Sequence, residues 1–337
     1  MTGAAPAAPR PIGAAVELVG RDRPIRVVIA RRVRFVDASR GLAVVGMLVA
    51  NLVNVCLRDI PSALAHNQGD TLRAFDLPSP VFQFLVGVSL PLFLAERSHH
   101  QAPTRRAAVR RFVELILLGV LLDGIGAMSV WPRWGVLQTL GLGGLVATAF
   151  VTAPPAMLVA IVVGLLAVFS GFANGIVHAS PEASLAFVPL TLVGLWLGRR
   201  IVGGLSPHRV GGEAAAFAVV AMLLAAALSA AGIPFNKMTG TSSFVALSSG
   251  VAAAIVALAA WFEGSGREFP SWLLLVGRNA LTAWVLLYVI VYYPAWLVFP
   301  EWSRLALAQG LVAVVVGTGA LCAVTVALGQ RGFRVRL

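Results

Sequence analysis

The 337-residue chain is 58% hydrophobic and only 12% charged, with a mean hydropathy of +0.87. A soluble globular domain carries about twice that share of charge, and apolar runs of about 20 residues, each able to cross a hydrocarbon core, exclude both a soluble enzyme and the alternating strands of an outer-membrane barrel. The net charge of +12 raises nucleic acid as a partner, so the placement of the 26 basic residues has to decide.

In chain order, residues 1–35, rich in Ala, Pro and Arg, read as a flexible basic cytoplasmic tail with a short surface-lying stretch at 24–36. Ten apolar segments follow, at about 38–57, 80–96, 109–128, 135–152, 155–174, 184–198, 213–232, 243–262, 272–298 and 303–328. They predict an all-α, polytopic helical membrane protein: one transmembrane unit over 36–330 and a basic tail at 331–337. An even number of spans puts both termini on one side. The tails, the loops at 97–111, 199–212 and 263–271, and the adjoining Arg40 and Arg278 hold 21 of the 26 Lys+Arg. That asymmetry places both termini in the cytoplasm and accounts for the basic charge without nucleic acid.

Polar residues inside a bilayer are costly and therefore informative. In the first span Asp37, Arg40, Asn51, Asn54 and Arg58 repeat at helical spacing on one face. Asn51 lies roughly 16 Å from Arg40 along the axis, beyond the midplane on the outer side. The stripe either hydrogen-bonds neighbouring helices or serves a site. The outer 58–79 loop holds His66, Asp70, Arg73 and Asp76 and leads into Ser79-Pro80, an expected N-cap with proline at the first helical position. His66 is the side chain there best suited to take a proton near neutral pH. His178 is also outside but has no comparable cluster around it, and His99, His100 and His208 fall at the cytoplasmic interface.

Arg97, Arg105, Arg106, Arg110 and Arg111 form the densest basic loop. Two readings stand: anchoring to anionic lipid, or a cytoplasmic entrance for a polyphosphorylated ligand such as coenzyme A. Glycine-rich phosphate loops, HExxH and GxSxG are missing from the sequence. Gly141, Gly143 and Gly144 suit close helix packing, and Cys56 and Cys322 have neither disulfide nor metal-ligand spacing.

Four segments resemble a known family. Asp37, Arg40, Gly41 and Asn51 follow its Asp-x-x-Arg-Gly opening and the Asn that closes the apolar run. His66, Asp76, Pro80, Phe82, Phe84, Gly87 and Ser89 match its next segment without a gap. Gly135-Val-Leu-Gln138 is its third motif, and Gly277-Arg-Asn-Ala-Leu281 resembles a late one. The family is that of heparan-alpha-glucosaminide N-acetyltransferases, transmembrane acyltransferases. Asn67-Gln68-Gly69 stand where a Trp is usual, and Thr139 stands where an Arg follows Gly-Val-Leu-Gln. A related bacterial membrane family shares the opening and a Gly-Arg-x-Ala-Leu-Thr stretch like Gly277–Thr282.

The resemblance implies an acyl-CoA-dependent acyltransferase of the plasma membrane, moving acetyl from cytosolic acetyl-CoA to an amine on an extracytoplasmic sugar or glycoconjugate. His66 would be the general base or a transient acetyl carrier. Asn51 would donate to the thioester oxygen, and Asp76 would orient the histidine or act as a helix-start anion. Arg40, with Arg105, Arg106, Arg110 and Arg111, would meet the CoA phosphates. The implied partners are a CoA thioester, an amino-sugar acceptor and the bilayer; a homodimer is compatible, and neither metal nor nucleic acid is called for. The competing class is a transporter or flippase with a polar path along the first helix.

Overall fold

The computed structural model describes residues 15–20, 23–28, 33–66, 69–99, 104–129, 131–171, 175–299, 305–333 and 335. Most of the expected N-terminal tail, part of the C-terminal one, and Asn67, Gln68 and His100 lie outside the described residues. The chain opens with two strands, β1 (Ala15–Gly20) and β2 (Arg23–Val28), paired antiparallel. Of the stretch expected to lie on the surface at 24–36, residues 24–28 belong to β2, which is rich in β-branched residues, 34–36 begin the first helix, and 29–32 lie outside the described residues.

Among the described residues after the hairpin the regular structure is helical, apart from a lone bridge between Leu57 and Leu305. The helices are α1 (Arg34–Cys56), α2 (Pro78–His99), α3 (Thr104–Gly126), α4 (Val136–Ala149), α5 (Pro155–Gly171), the short α6 (Pro181–Ser184), α7 (Val188–Val202), α8 (Pro207–Ala230), α9 (Ser242–Gly264), α10 (Ser271–Arg278), α11 (Ala280–Leu286) and α12 (Leu307–Gln330). They fall on the ten expected apolar segments. Among the described residues seven helical stretches are long and apolar enough to cross a membrane, and α4 and α5 are shorter apolar helices. This is an all-α, multi-pass membrane protein.

α1 is the central post, packed against α2, α9, α10 and α12, while α2 pairs with α7, α3 with α4 and α8 with α9. Two of these contacts are set by glycine. A Cβ on Gly277 of α10 would overlap the Asp37 carbonyl of α1, and one on Gly87 of α2 would overlap the Thr191 carbonyl of α7. Such close backbone approach is how membrane helices pack without a hydrophobic drive. The first contact also sets Arg278 Nε 2.7 Å from Asp37 Oδ2. Gly277→Ala and Gly87→Ala should each cost about 1–3 kcal/mol or more by overpacking, read as a clear drop in the thermal midpoint in detergent. An unchanged midpoint for either would mean that the helices part freely.

Two local features differ from expectation. α2 begins at Pro78, because the 3-10 turn Ala74–Asp76 runs straight into it through the Val81 N–H bond to Leu77 O. Pro78 and Pro80 both sit in the first turn, where their missing N–H groups leave no bond unmade, and Ser79 is inside the helix. The expected span at 272–298 is not one straight helix. It is interrupted at Asn279, between α10 and α11, and then widens into π-helical turns over Leu287–Tyr292 and Pro294–Val298. Widened turns of this kind often accompany functional sites.

Candidate active site

A small cavity of about 60 Å³ lies beside α1 and is lined by Asn51, His66, Ser79, His178, Lys237 and Trp284, among others. It has room for a few water-sized groups, so only the reacting end of a larger molecule fits. His66 reaches it from the loop after α1, where Leu64 and Ala65 close a turn on Pro61 O. Its Nδ1 lies 3.3 Å from Asp76 Oδ1. A carboxylate only accepts, so Nδ1 carries a proton, and in the neutral imidazole Nε2 is then the ring's lone-pair nitrogen. Asp76 is fully buried and also faces Lys237, whose Nζ is 3.7 Å from the same oxygen. The expected His66–Asp76 pair is present and has a third member.

Lys237 comes from the loop between α8 and α9, which is built by Asn236. The Asn236 side-chain oxygen accepts the N–H groups of Met238 and Thr239, and its Nδ2 donates to Asp70 Oδ1 at 2.8 Å, tying this loop to that of His66. Gly240 completes the turn at φ +65°, a left-handed conformation that favours glycine. The Val177 N–H then bonds Met238 O at 2.7 Å and brings in His178. Three loops distant in sequence thus converge. Burial pushes the Lys237 ammonium pKa down, and Asp76 pulls it partly back. His178 is pushed to about 3, by burial first and by the Lys237 charge second. Sequence reading left His178 without a cluster; the corrected placement is in the cavity wall, with Nδ1 3.1 Å from Thr139 Oγ1.

Asn51 stands on the α1 side of the cavity. Its Nδ2 donates to Met47 O at 2.7 Å, and its Oδ1 accepts from Tyr292 OH in the π-helical segment. Because Met47 O can only accept, the amide orientation is set, and the second N–H of Nδ2 is left over. Tyr292 stacks on Trp296 at 4.4 Å and meets Tyr288 edge-on at 5.0 Å. Tyr288 OH donates to Asp123 Oδ1 at 2.6 Å, and Gln138 Nε2 donates to Asp123 Oδ2 at 3.0 Å. The Gly-Val-Leu-Gln segment thus clamps Asp123, which in turn holds the tyrosines. Asn54 does not join this network: it is exposed and donates back to Ala50 O. Arg58 lies beyond the end of α1, so the polar stripe stops short of the outer loop.

At the other end of α1 the arginines divide into two sets. Arg97 and Arg111 lie over the Phe93 ring at 5.3 and 5.0 Å, and the charges of Arg40 and Arg97 both act on Arg111. Among the described residues no carboxylate comes within ion-pair distance of these three, and Arg97 Nε is buried without a hydrogen-bond partner. Arg105, Arg106 and Arg110 turn outward on α3. Arg105 donates to the Ala149 carbonyl and Arg110 pairs with Glu114 at 2.6 Å. Helical periodicity separates Arg110 from Arg111 by about 100°, which sequence proximity conceals.

The family model described as heparan-alpha-glucosaminide N-acetyltransferase, catalytic, matches residues 32–223. The chain belongs to this family. No curated protein matches it. It is thus a transmembrane N-acetyltransferase in general terms. The matched stretch contains Asn51, His66, Asp76 and His178, whereas Lys237, Trp284 and the tyrosines lie beyond it. Those residues are not among the site candidates read from the sequence, although signals exist. Lys237 is the lone lysine among 26 basic residues, and all three tyrosines fall between 288 and 293. Asp123 is a carboxylate in an apolar run, which by itself marks a functional candidate. Among the described residues no group of three His, Cys, Asp or Glu could hold a metal ion.

Proposed function

We propose that this N-acetyltransferase takes acetyl from acetyl-CoA on the cytoplasmic side of the plasma membrane and delivers it to the amine of an extracytoplasmic amino sugar or glycoconjugate. The observation that carries this reading is the pair of chemically opposite ends on α1. Arg40, beside Arg97 and Arg111, supplies cations with no carboxylate within ion-pair distance among the described residues, and Asn51, roughly 16 Å further along the axis, lines one cavity with His66. The guanidinium groups suit phosphates, and the separation suits an extended pantetheine arm. The location of 21 of 26 basic residues on one side supports the orientation.

In this reading Arg40, Arg97 and Arg111 hold the phosphates, and Arg105, Arg106 and Arg110 serve the bilayer surface. His66, its Nδ1 proton held by Asp76, takes a proton from the amine at Nε2 as the nitrogen attacks the thioester carbon. The free N–H of Asn51 donates to the thioester oxygen as charge grows there. The C–S bond then breaks, and His66 returns its proton to the departing thiolate sulfur.

Sealed proteoliposomes test the scheme, with labelled acetyl-CoA on one face and glucosamine on the other. Acetylation is expected only when glucosamine is on the His66 face. Arg97→Gln with Arg111→Gln should raise KM for acetyl-CoA by about 10- to 100-fold, the scale of lost charged hydrogen bonds, with little change in KM for the amine. Product formed with both substrates on one face, or no product across a broad amine panel, would overturn the reading.

A further inference from the structure

Two buried polar atoms in the cavity wall are unused by the mechanism above. His178 Nε2 and Trp284 Nε1 are shielded from solvent and lack a hydrogen-bond partner, and both residues line the same small cavity. Trp284 is 8% exposed. Leaving such atoms unpaired is costly and rare in folded proteins, so a pair of them facing one cavity points to a ligand.

Their chemistry is complementary. The indole N–H can only donate. The state of His178 follows from its neighbours. Thr139 Oγ1 lies 2.9 Å from Gly135 O, 2.9 Å from Ser184 Oγ and 3.1 Å from His178 Nδ1. Ser184 Oγ also meets the carbonyls of Val177 and Ser180 and receives Trp134 Nε1–H. These carbonyls only accept, and each hydroxyl has one proton. A proton on His178 Nδ1, donated to Thr139, supplies the most contacts in this network. Nε2 then presents a lone pair, and the nearby Lys237 charge and burial keep it unprotonated.

We propose that His178 and Trp284 form a specificity subsite that reads a hydroxyl group next to the acceptor's amine, resting on the acetyl-transfer reading above. A hydroxyl satisfies both atoms at once, donating to His178 Nε2 and accepting from Trp284 Nε1. The attacking amine does not suit this pair, since an indole N–H bonded to its lone pair would suppress attack. The Lys237 ammonium also disfavours a protonated amine in the cavity, which favours the neutral, nucleophilic form. Thr139, which follows the Gly-Val-Leu-Gln segment, is the residue that sets the His178 tautomer.

The test compares methyl glucosaminide with its 3-deoxy analogue, which lacks the one free hydroxyl beside the amine. Wild type should lose about 10- to 100-fold in kcat/KM on the deoxy compound, the scale of leaving a buried partner unpaired. His178→Phe and Trp284→Phe should each shrink that preference toward unity while KM for acetyl-CoA stays put. A readout without turnover uses wild-type protein labelled with nitrogen-15. The Trp284 indole and His178 Nε2 resonances should shift with trans-2-aminocyclohexanol and stay in place with cyclohexylamine. Equal response to the two amines, or equal rates on the two sugars, overturns the subsite even if acetyl transfer is intact. Shifts with the amino alcohol but no acetylation of any amine would instead overturn the transferase reading and leave the subsite standing.

Discussion

His66→Ala should reduce acetyl transfer by about 10²- to 10⁴-fold, the range general acid–base catalysis supplies, with KM for acetyl-CoA unchanged. Asp76→Asn separates chemistry from folding. The carboxylate is fully buried between His66 Nδ1 and Lys237 Nζ, so its loss both frees the imidazole and strands a buried ammonium. Removing one partner of a buried pair costs about 3–5 kcal/mol, and Asp76→Asn should therefore melt well below wild type. The double variant Asp76→Asn with Lys237→Met removes the stranded charge. It should recover most of the thermal midpoint in detergent while the rate stays low. Recovery of the rate along with the midpoint would mean that Asp76 serves folding alone. An acetylated protein trapped with acetyl-CoA alone, and lost in His66→Ala, would replace proton transfer by a covalent route.

Much of this architecture was readable from residues. Apolar run length predicted the helices, because each hydrophobic segment must satisfy its own backbone in lipid. His66 and Asp76, ten residues apart, were legible as a pair because one short loop joins them. Lys237 and His178 were not, since their loops meet only through Asn236, Asp70 and the Val177–Met238 hydrogen bond. The arginines divide in a way that sequence order hides. Arg105, Arg106, Arg110 and Arg111 read as one cluster, yet the turn of α3 sends three outward and Arg111 onto Phe93. Asn51 and Asn54 both donate back to their own helix, and what separates them is that Asn51 also accepts from Tyr292 while Asn54 is exposed, a difference that periodicity along α1 alone does not carry. The π-helical turns left no periodic signature, only three tyrosines within six positions, and those turns bring the Tyr292 hydroxyl to Asn51 Oδ1 and so help to hold the amide.

That last dependence yields a graded result. Asn51→Ala should cost about 10²- to 10³-fold in kcat, the effect of deleting one donor to a developing oxyanion, with both KM values little changed. Asn51→Asp keeps the shape but exchanges the N–H donors for acceptors, and it should be no better than Ala. Tyr292→Phe leaves the ring in its stack against Trp296 and Tyr288 and removes only the hydroxyl that donates to Asn51 Oδ1. Met47 O still holds one N–H of the amide, so the group is loosened without being lost. The expected loss is intermediate, about tenfold in kcat, and the thermal midpoint should move little. In the double variant Asn51→Ala with Tyr292→Phe, the tyrosine has nothing left to orient, and the second substitution should add almost nothing to the first. Full multiplication of the two losses would show that Tyr292 acts on the reaction by a route other than Asn51.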